Sequence, residues 1–149
     1  MTSNSKRVFA TAALAGTLAL GFAGGQAWTA VAAGTMDARG QAITALAEQK
    51  LANIPGKTLT ALTVDYAPGG STPAHHHAAS ATLFAYVVSG AIRSQVNGGP
   101  TEVFHAGQFW IEQPNSAHGI SENASTTEPA KLVVVAIGDD GATLTTFDK

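Results

Sequence analysis

Residues 69–92 read GGSTPAHHHAASATLFAYVVSGAI, and this stretch carries the strongest structural signal in the chain. Successive side chains on a β-strand point to opposite faces, so His75 and His77 converge on one side while His76 faces the other. Two imidazoles in this arrangement have the spacing of metal ligands. The apolar run at 83–88 then predicts a buried strand directly after them.

A second stretch, residues 107–118 with the sequence GQFWIEQPNSAH, ends in His118 after a turn at Pro114 and Asn115. A third imidazole from another strand would complete a set of ligands that Fe, Mn, Ni, Cu and Zn all accept. The chain has no cysteine, which excludes thiolate ligands and disulfides. The alternative interpretation of the histidines at 75–77 is a solvated loop cluster with incidental metal affinity.

The order of glycines and histidines in these two stretches resembles the two sequence boxes of the cupin superfamily. The resemblance covers residues 55–147 and implies a small antiparallel β-barrel, commonly dimeric. It also implies a metal inside the barrel, bound by two histidines and a glutamate of the first box and a histidine of the second. The matching positions are Gly69, His75, His77 and Gly90 in the first box and Gly107 and His118 in the second. The second box is altered between them, with Gln113 and Asn115 where the resemblance puts Pro and Gly, although Pro114 and Asn115 still predict a turn.

The chain departs from the cupin pattern at the glutamate. Ala81, Thr82 and Leu83 occupy the places where the resemblance puts this carboxylate ligand. Glu112 lies close to the second box, and we expect it to be a surface charge, with a substitute ligand or base as the alternative. Three histidines alone would leave the full charge of a divalent ion in place and would favour an anionic chelating substrate.

Two hypotheses on function follow, and a third is weaker. The first is a metal-dependent oxygenase or isomerase that acts on a small anionic or oxygen-rich organic molecule, with His75, His77 and His118 as ligands of one divalent Fe, Mn, Ni, Cu or Zn ion. The second is a non-catalytic ligand-binding or sensor barrel with a degenerate metal site. The third is a purely structural homodimer. A cavity that opens to solvent and has polar groups near the histidines would favour the first hypothesis.

Several other side chains have a structural interpretation as well as a functional one. On the strand after Gly90, Arg93 and Gln95 share a face, which either binds a substrate anion or lies in solvent. We expect His105 to be exposed and Thr82 to serve strand packing. Aromatic residues are expected to fill the core and the pocket wall, namely Phe84, Tyr86, Phe104, Phe109 and Trp110.

The composition indicates an all-β fold. The 149 residues are 45% hydrophobic and 12% charged, with 16 glycines, and about eight short strands separated by turns predict an antiparallel β-barrel or jelly roll. The turn Asn97-Gly98 predicts a tight hairpin. We expect a single barrel domain at 57–149 after a lead-in at 33–56. Within that lead-in, the composition of Met36 to Leu51 favours a helix that Asp37 would cap.

The N-terminus is typical of an export signal. Lys6 and Arg7 precede an apolar stretch, and the motif at 30–32, Ala-Val-Ala, predicts cleavage near Ala32. Residues 1–32 are therefore expected to be a signal peptide of a periplasmic or secreted protein, with a weak twin-arginine-like pattern. A retained membrane anchor is the alternative. Cleavage would leave six Lys or Arg and ten Asp or Glu, and this acidic balance disfavours nucleic-acid and membrane partners.

Overall fold

A computed structural model describes residues 34–149, which form eleven β-strands and no helix. No segment of this part of the chain is therefore a candidate for a membrane-spanning helix. The predicted signal segment at 1–32, with its cleavage site and export pattern, lies outside the described residues. The strands are β1 (Gln41–Lys50), β2 (Lys57–Tyr66), β3 (Ser71–Thr72), β4 (His75–His77), β5 (Thr82–Ser89), β6 (Ala91–Val96), β7 (Glu102–His105), β8 (Phe109–Glu112), β9 (Ala117–Asn123), β10 (Ala130–Asp139) and β11 (Thr145–Phe147).

The strands form two antiparallel sheets. One has the order β1-β2-β10-β5-β8, and the other has the order β11-β4-β9-β6-β7 with β3 also paired to β9. The chain changes sheet at the junction of β5 and β6, where Gly90 has a positive φ of 71°. This arrangement confirms the predicted all-β fold, an antiparallel barrel of the jelly-roll type formed as a single domain.

The core lies between the two sheets and follows from the period-2 alternation of the strands. On β5, Leu83, Ala85 and Val87 are buried, whereas the residues between them are exposed. Ile92 on β6 is fully buried opposite them. The alternation thus sends one apolar row from each strand into the interior, where burial stabilises the barrel.

The aromatic residues follow the same alternation, which corrects part of the prediction for the core. Trp110 is buried and Phe104 is half-buried, and their rings pack with centroids 4.7 Å apart and a tilt of 35° between their planes. Phe84, Tyr86 and Phe109 instead lie on the outer face of the five-stranded sheet and are exposed. The prediction was wrong for these three because strand parity, rather than side-chain size, decides which face a residue occupies.

The predicted helix at Met36 to Leu51 is also wrong. Residues 41–50 form β1, which pairs antiparallel with β2 along its whole length and is irregular only between Ala45 and Ala47. Alanine, glutamate and glutamine give the segment helical propensity, but cross-strand pairing outweighs so weak a preference. Asp37 does cap a turn, since its Oδ1 accepts the backbone N–H groups of Arg39 and Gln41.

Candidate metal centre

Three histidines from two neighbouring strands meet inside the barrel. His75 and His77 on β4 are 5% and 6% exposed, and His118 on β9 is 4% exposed and is the direct cross-strand partner of His75. Each offers one ring nitrogen, and the three nitrogens lie within 4.8 Å of one another. His76 points outward, where its Nδ1 lies 2.6 Å from Asp148 Oδ1. The structure thus brings together the three histidines that the sequence singled out and separates them from the fourth.

In each of the three histidines, one ring nitrogen is hydrogen-bonded to a group outside the cluster. The Nδ1–H groups of His75 and His77 donate to the carbonyl oxygens of Pro73 and Leu144, at 2.7 and 3.1 Å. His118 Nε2 is hydrogen-bonded to Ser94 Oγ at 2.9 Å. Because a carbonyl only accepts, both Nδ1 atoms of β4 carry hydrogen and both Nε2 atoms are left for a ligand.

This arrangement is typical of metal-binding histidines, whose second nitrogen is usually fixed by a carbonyl, a carboxylate or a hydroxyl. The roles of Pro73 and Leu144 could not be predicted from the sequence, since both residues act through their backbone carbonyl groups. The inward orientation of Ser94 could have been predicted from the sequence, because Ser94 follows the buried Ile92 by two residues on β6 and so lies on the same face.

Glu112 lies beside the same cluster, and the expectation of a surface charge was wrong. Its side chain is 3% exposed, with Oε2 at 3.1 Å from His77 Nε2 and Oε1 at 3.2 Å from His118 Nδ1. Trp110 Nε1–H donates to Oε1 at 3.0 Å. Glu112 follows Trp110 by two residues on β8, so both point inward.

The cluster also shifts the protonation of its members. Burial raises the pKa of the Glu112 carboxyl, but the close imidazoles of His118 and His77 outweigh this effect and hold the pKa well below its usual range. Burial lowers the pKa of His75. Burial also acts to lower the pKa of His77, but contact with Glu112 outweighs it and raises that pKa. The carboxylate is therefore the charged group of the centre and stabilises positive charge on its neighbours.

These groups fit a transition metal ion. Glu112 Oε2 is a buried oxygen without a hydrogen-bond partner in residues 34–149, because its approach to His77 lacks hydrogen-bond geometry. Burial of such an oxygen lowers the stability of the protein unless a cation or another partner pairs with it. Imidazole nitrogens combined with a carboxylate oxygen form a donor set that first-row divalent metals accept.

A cavity of about 260 Å³ leads from this cluster between the sheets. It reaches the surface, since the exposed residues Ile43 and Phe147 belong to its wall. Tyr66 and Ser121 place hydroxyl groups along it, and the two hydroxyls are hydrogen-bonded to each other at 3.0 Å. The remaining wall is mainly aliphatic, with Leu62, Leu83, Ala85, Leu132, Val134, Ala136 and Leu144. The cavity therefore has a charged end and an apolar body.

The other candidate residues lie away from the cavity. Arg93 is exposed and paired with Glu122, and Gln95 donates to the carbonyl of Gly99 at 3.0 Å. The face that Arg93 and Gln95 share therefore lies on the outside of the barrel, as the solvent alternative predicted, and does not bind an anion in the cavity. His105 is exposed as predicted, and Thr82 also faces outward.

Comparison with known proteins bears on the family and the fold. A family model described as a cupin domain matches residues 62–136. A structure described as oxalate oxidase in complex with the substrate analogue glycolate is 25% identical, with a TM-score of 0.59, and the match covers 78% of this chain and 59% of that chain. A double-stranded β-helix protein from Klebsiella pneumoniae is 16% identical, with a TM-score of 0.61 and coverage of 78% and 90%.

An RmlC-like cupin from Shewanella frigidimarina is 19% identical to this chain, with a TM-score of 0.55 and coverage of 74% and 86%. These last two likenesses concern the fold. The chain spans about three fifths of the length of the oxalate oxidase chain, at 59%. No curated protein sequence matches the chain significantly.

Proposed function

The chain belongs to the cupin family, and on that basis we propose that it binds one divalent transition metal ion through His75, His77 and His118. The observation that carries the proposal is the convergence of three buried imidazoles, each with its second nitrogen held by an outer partner. Iron, manganese, nickel, copper and zinc all accept such a donor set.

We propose that the ligand of this centre is a small organic carboxylate with an apolar body. The carboxylate would lie at the charged end of the cavity, since a metal ion attracts anionic oxygen. The aliphatic wall beyond it suits carbon rather than further polar groups, because polar groups left without partners there are costly. Binding of glycolate to oxalate oxidase, a similar structure, supports the carboxylate part of the proposal.

The reaction class that we propose is that of a metal-dependent oxygenase or isomerase. A bound ion would supply Lewis-acid polarisation of the ligand and, for a redox-active metal, electron transfer. The chain's own contribution is to fix the imidazoles, to exclude water with the aliphatic wall and to orient the ligand through the hydroxyls of Tyr66 and Ser121. A non-catalytic binding protein is the second candidate, favoured by the largely apolar wall.

A ligand-binding experiment tests this proposal. Binding of glycolate and of 2-hydroxy-3-methylbutyrate to the metal-loaded protein is measured by calorimetry, with metal-free protein as the control. We expect both to bind only when metal is present, and the branched acid to bind at least about tenfold more tightly, since each buried methylene contributes about 0.8 kcal/mol.

Equal binding to metal-free protein would contradict the role of the metal, and a preference for glycolate would contradict the role of the apolar wall. Oxygen uptake is followed with an electrode in the same samples. Ligand-dependent uptake would support an oxygenase, and binding without uptake or conversion of the ligand would favour the binding protein.

We also propose that the domain acts after export and as a homodimer. The export signal at 1–32 supports the first part. The outer face of the five-stranded sheet supports the second, since it exposes Phe84, Tyr86, Phe109 and Ile111. Native mass spectrometry of protein from the periplasm or medium tests both parts. We expect a dimer of chains that begin at Ala33, whereas a full-length subunit or a monomer would contradict the corresponding part.

A further inference from the structure

We propose that Glu112 is the carboxylate ligand of this metal centre, and that β8 supplies it in place of the residue that the cupin pattern puts on the neighbouring strand. The inference rests on the proposed metal binding and adds a fourth donor to it. It also explains how the chain can lack a carboxylate at Ala81, Thr82 and Leu83 and still form a charged centre.

Strand register shows how one residue replaces the other. β5 pairs antiparallel with β8, and the direct cross-strand partner of Glu112 is Leu83. Side chains opposite each other in an antiparallel pair project from the same face with their Cβ atoms about 5 Å apart. Leu83 and Glu112 both line the cavity, so a carboxylate at either position reaches the same space.

The geometry distinguishes a metal ligand from an ordinary buried ion pair. The carboxylate oxygens of Glu112 lie 3.1 Å from His77 Nε2 and 3.2 Å from His118 Nδ1, yet Oε2, the oxygen beside His77, has no hydrogen-bond partner within residues 34–149. A buried ion pair is stable only when its hydrogen bonds are good, because desolvation is otherwise uncompensated. Glu112 Oε2 and His77 Nε2 thus lie close together without a hydrogen bond between them, as two donors around a shared ion do.

Trp110 determines which oxygen is available. Its Nε1–H donates to Oε1 of Glu112 at 3.0 Å, and this bond fixes the plane of the carboxylate. Oε2 has no hydrogen-bond partner within the described part of the chain. We therefore assign Oε2 as the metal-binding oxygen and Trp110 as a positioning residue that acts through Oε1.

The test compares metal affinity in matched variants of the full mature chain. Dissociation constants for Zn²⁺ are measured by competition with a chromophoric chelator, and the visible spectrum of the Co²⁺-loaded protein reports the ligand set. Glu112→Gln keeps the shape and removes the charge. We expect it to weaken binding by at least about 100-fold, because loss of outer partners alone costs roughly 10- to 100-fold, and to change the cobalt spectrum.

Two controls define the result. Glu48→Gln makes the same chemical change at an exposed position on β1 and is expected to leave affinity and spectrum unchanged. Trp110→Phe removes the N–H donor and is expected to weaken binding by roughly tenfold while it keeps the wild-type spectrum. Circular dichroism verifies folding. Should Glu112→Gln not fold, Glu112→Asp takes its place. This variant shortens the reach of the carboxylate and is expected to shift the cobalt spectrum.

Wild-type affinity and spectrum in Glu112→Gln, together with loss of metal in His77→Ala, would overturn the role of Glu112 and leave the three-histidine centre in place. An unchanged spectrum in Glu112→Asp would overturn it in the same way. Failure of the wild-type protein to bind Zn²⁺ or Co²⁺ would overturn both proposals. The two failures are therefore distinguishable.

Discussion

Replacement of His75 with alanine is expected to weaken metal binding by more than about 100-fold, whereas His76→Ala leaves it unchanged. Removal of a residue that merely orients a ligand costs roughly 10- to 100-fold, so removal of the ligand itself costs more. The two histidines are neighbours on β4 with opposite orientations, since His75 is buried and His76 is exposed. Chelator competition with Zn²⁺ measures both constants.

The pair of variants separates a specific centre from a histidine cluster with incidental affinity. Both substitutions remove one imidazole from the same tripeptide, so an incidental cluster would lose a similar share of its affinity in each. Equal effects of the two substitutions would therefore count against the proposed centre. A large effect confined to His75→Ala would support it.

Gly90→Ala is expected to lower the free energy of unfolding by about 2 to 5 kcal/mol. Gly90 has a φ of 71°, a conformation that costs an L-residue about 1 to 2 kcal/mol. An added Cβ would also lie 2.6 Å from the carbonyl oxygen of Pro129 and 2.8 Å from Cβ of Ala130. Relief of such an overlap typically costs about 1 to 3 kcal/mol more. Urea unfolding followed by tryptophan fluorescence measures the loss.

Gly98→Ala is the matched control. Gly98 has a similar φ of 65°, but a Cβ there would meet no heavy atom within 4 Å. We expect only the conformational cost of about 1 to 2 kcal/mol. Equal losses in the two variants would show that the close approach of Gly90 to the start of β10 contributes nothing to stability.

The sequence was sufficient to predict the fold class and the three histidines. Both follow from local rules, since strand alternation places His75 and His77 on one face and turn residues separate the short strands. The hairpin at Asn97 and Gly98 also follows from the local sequence, and both residues have the positive φ that a tight turn requires.

The errors came from properties that depend on distant parts of the chain. The segment that forms β1 has helical composition and becomes a strand because β2 pairs with it. The sequence could not orient Glu112, since the inward face of β8 is defined by its pairing with β5. The same parity decides that Phe84 and Phe109 lie outside while Trp110 lies inside.

Metal content per chain tests the central claim most directly. Protein purified from its native compartment is analysed by elemental mass spectrometry beside a His77→Ala variant prepared in the same way. We predict about one Fe, Mn, Ni, Cu or Zn ion per wild-type chain, as one site of this donor set would hold, and almost none in the variant. Little metal in both proteins, or equal metal in both, would contradict the account.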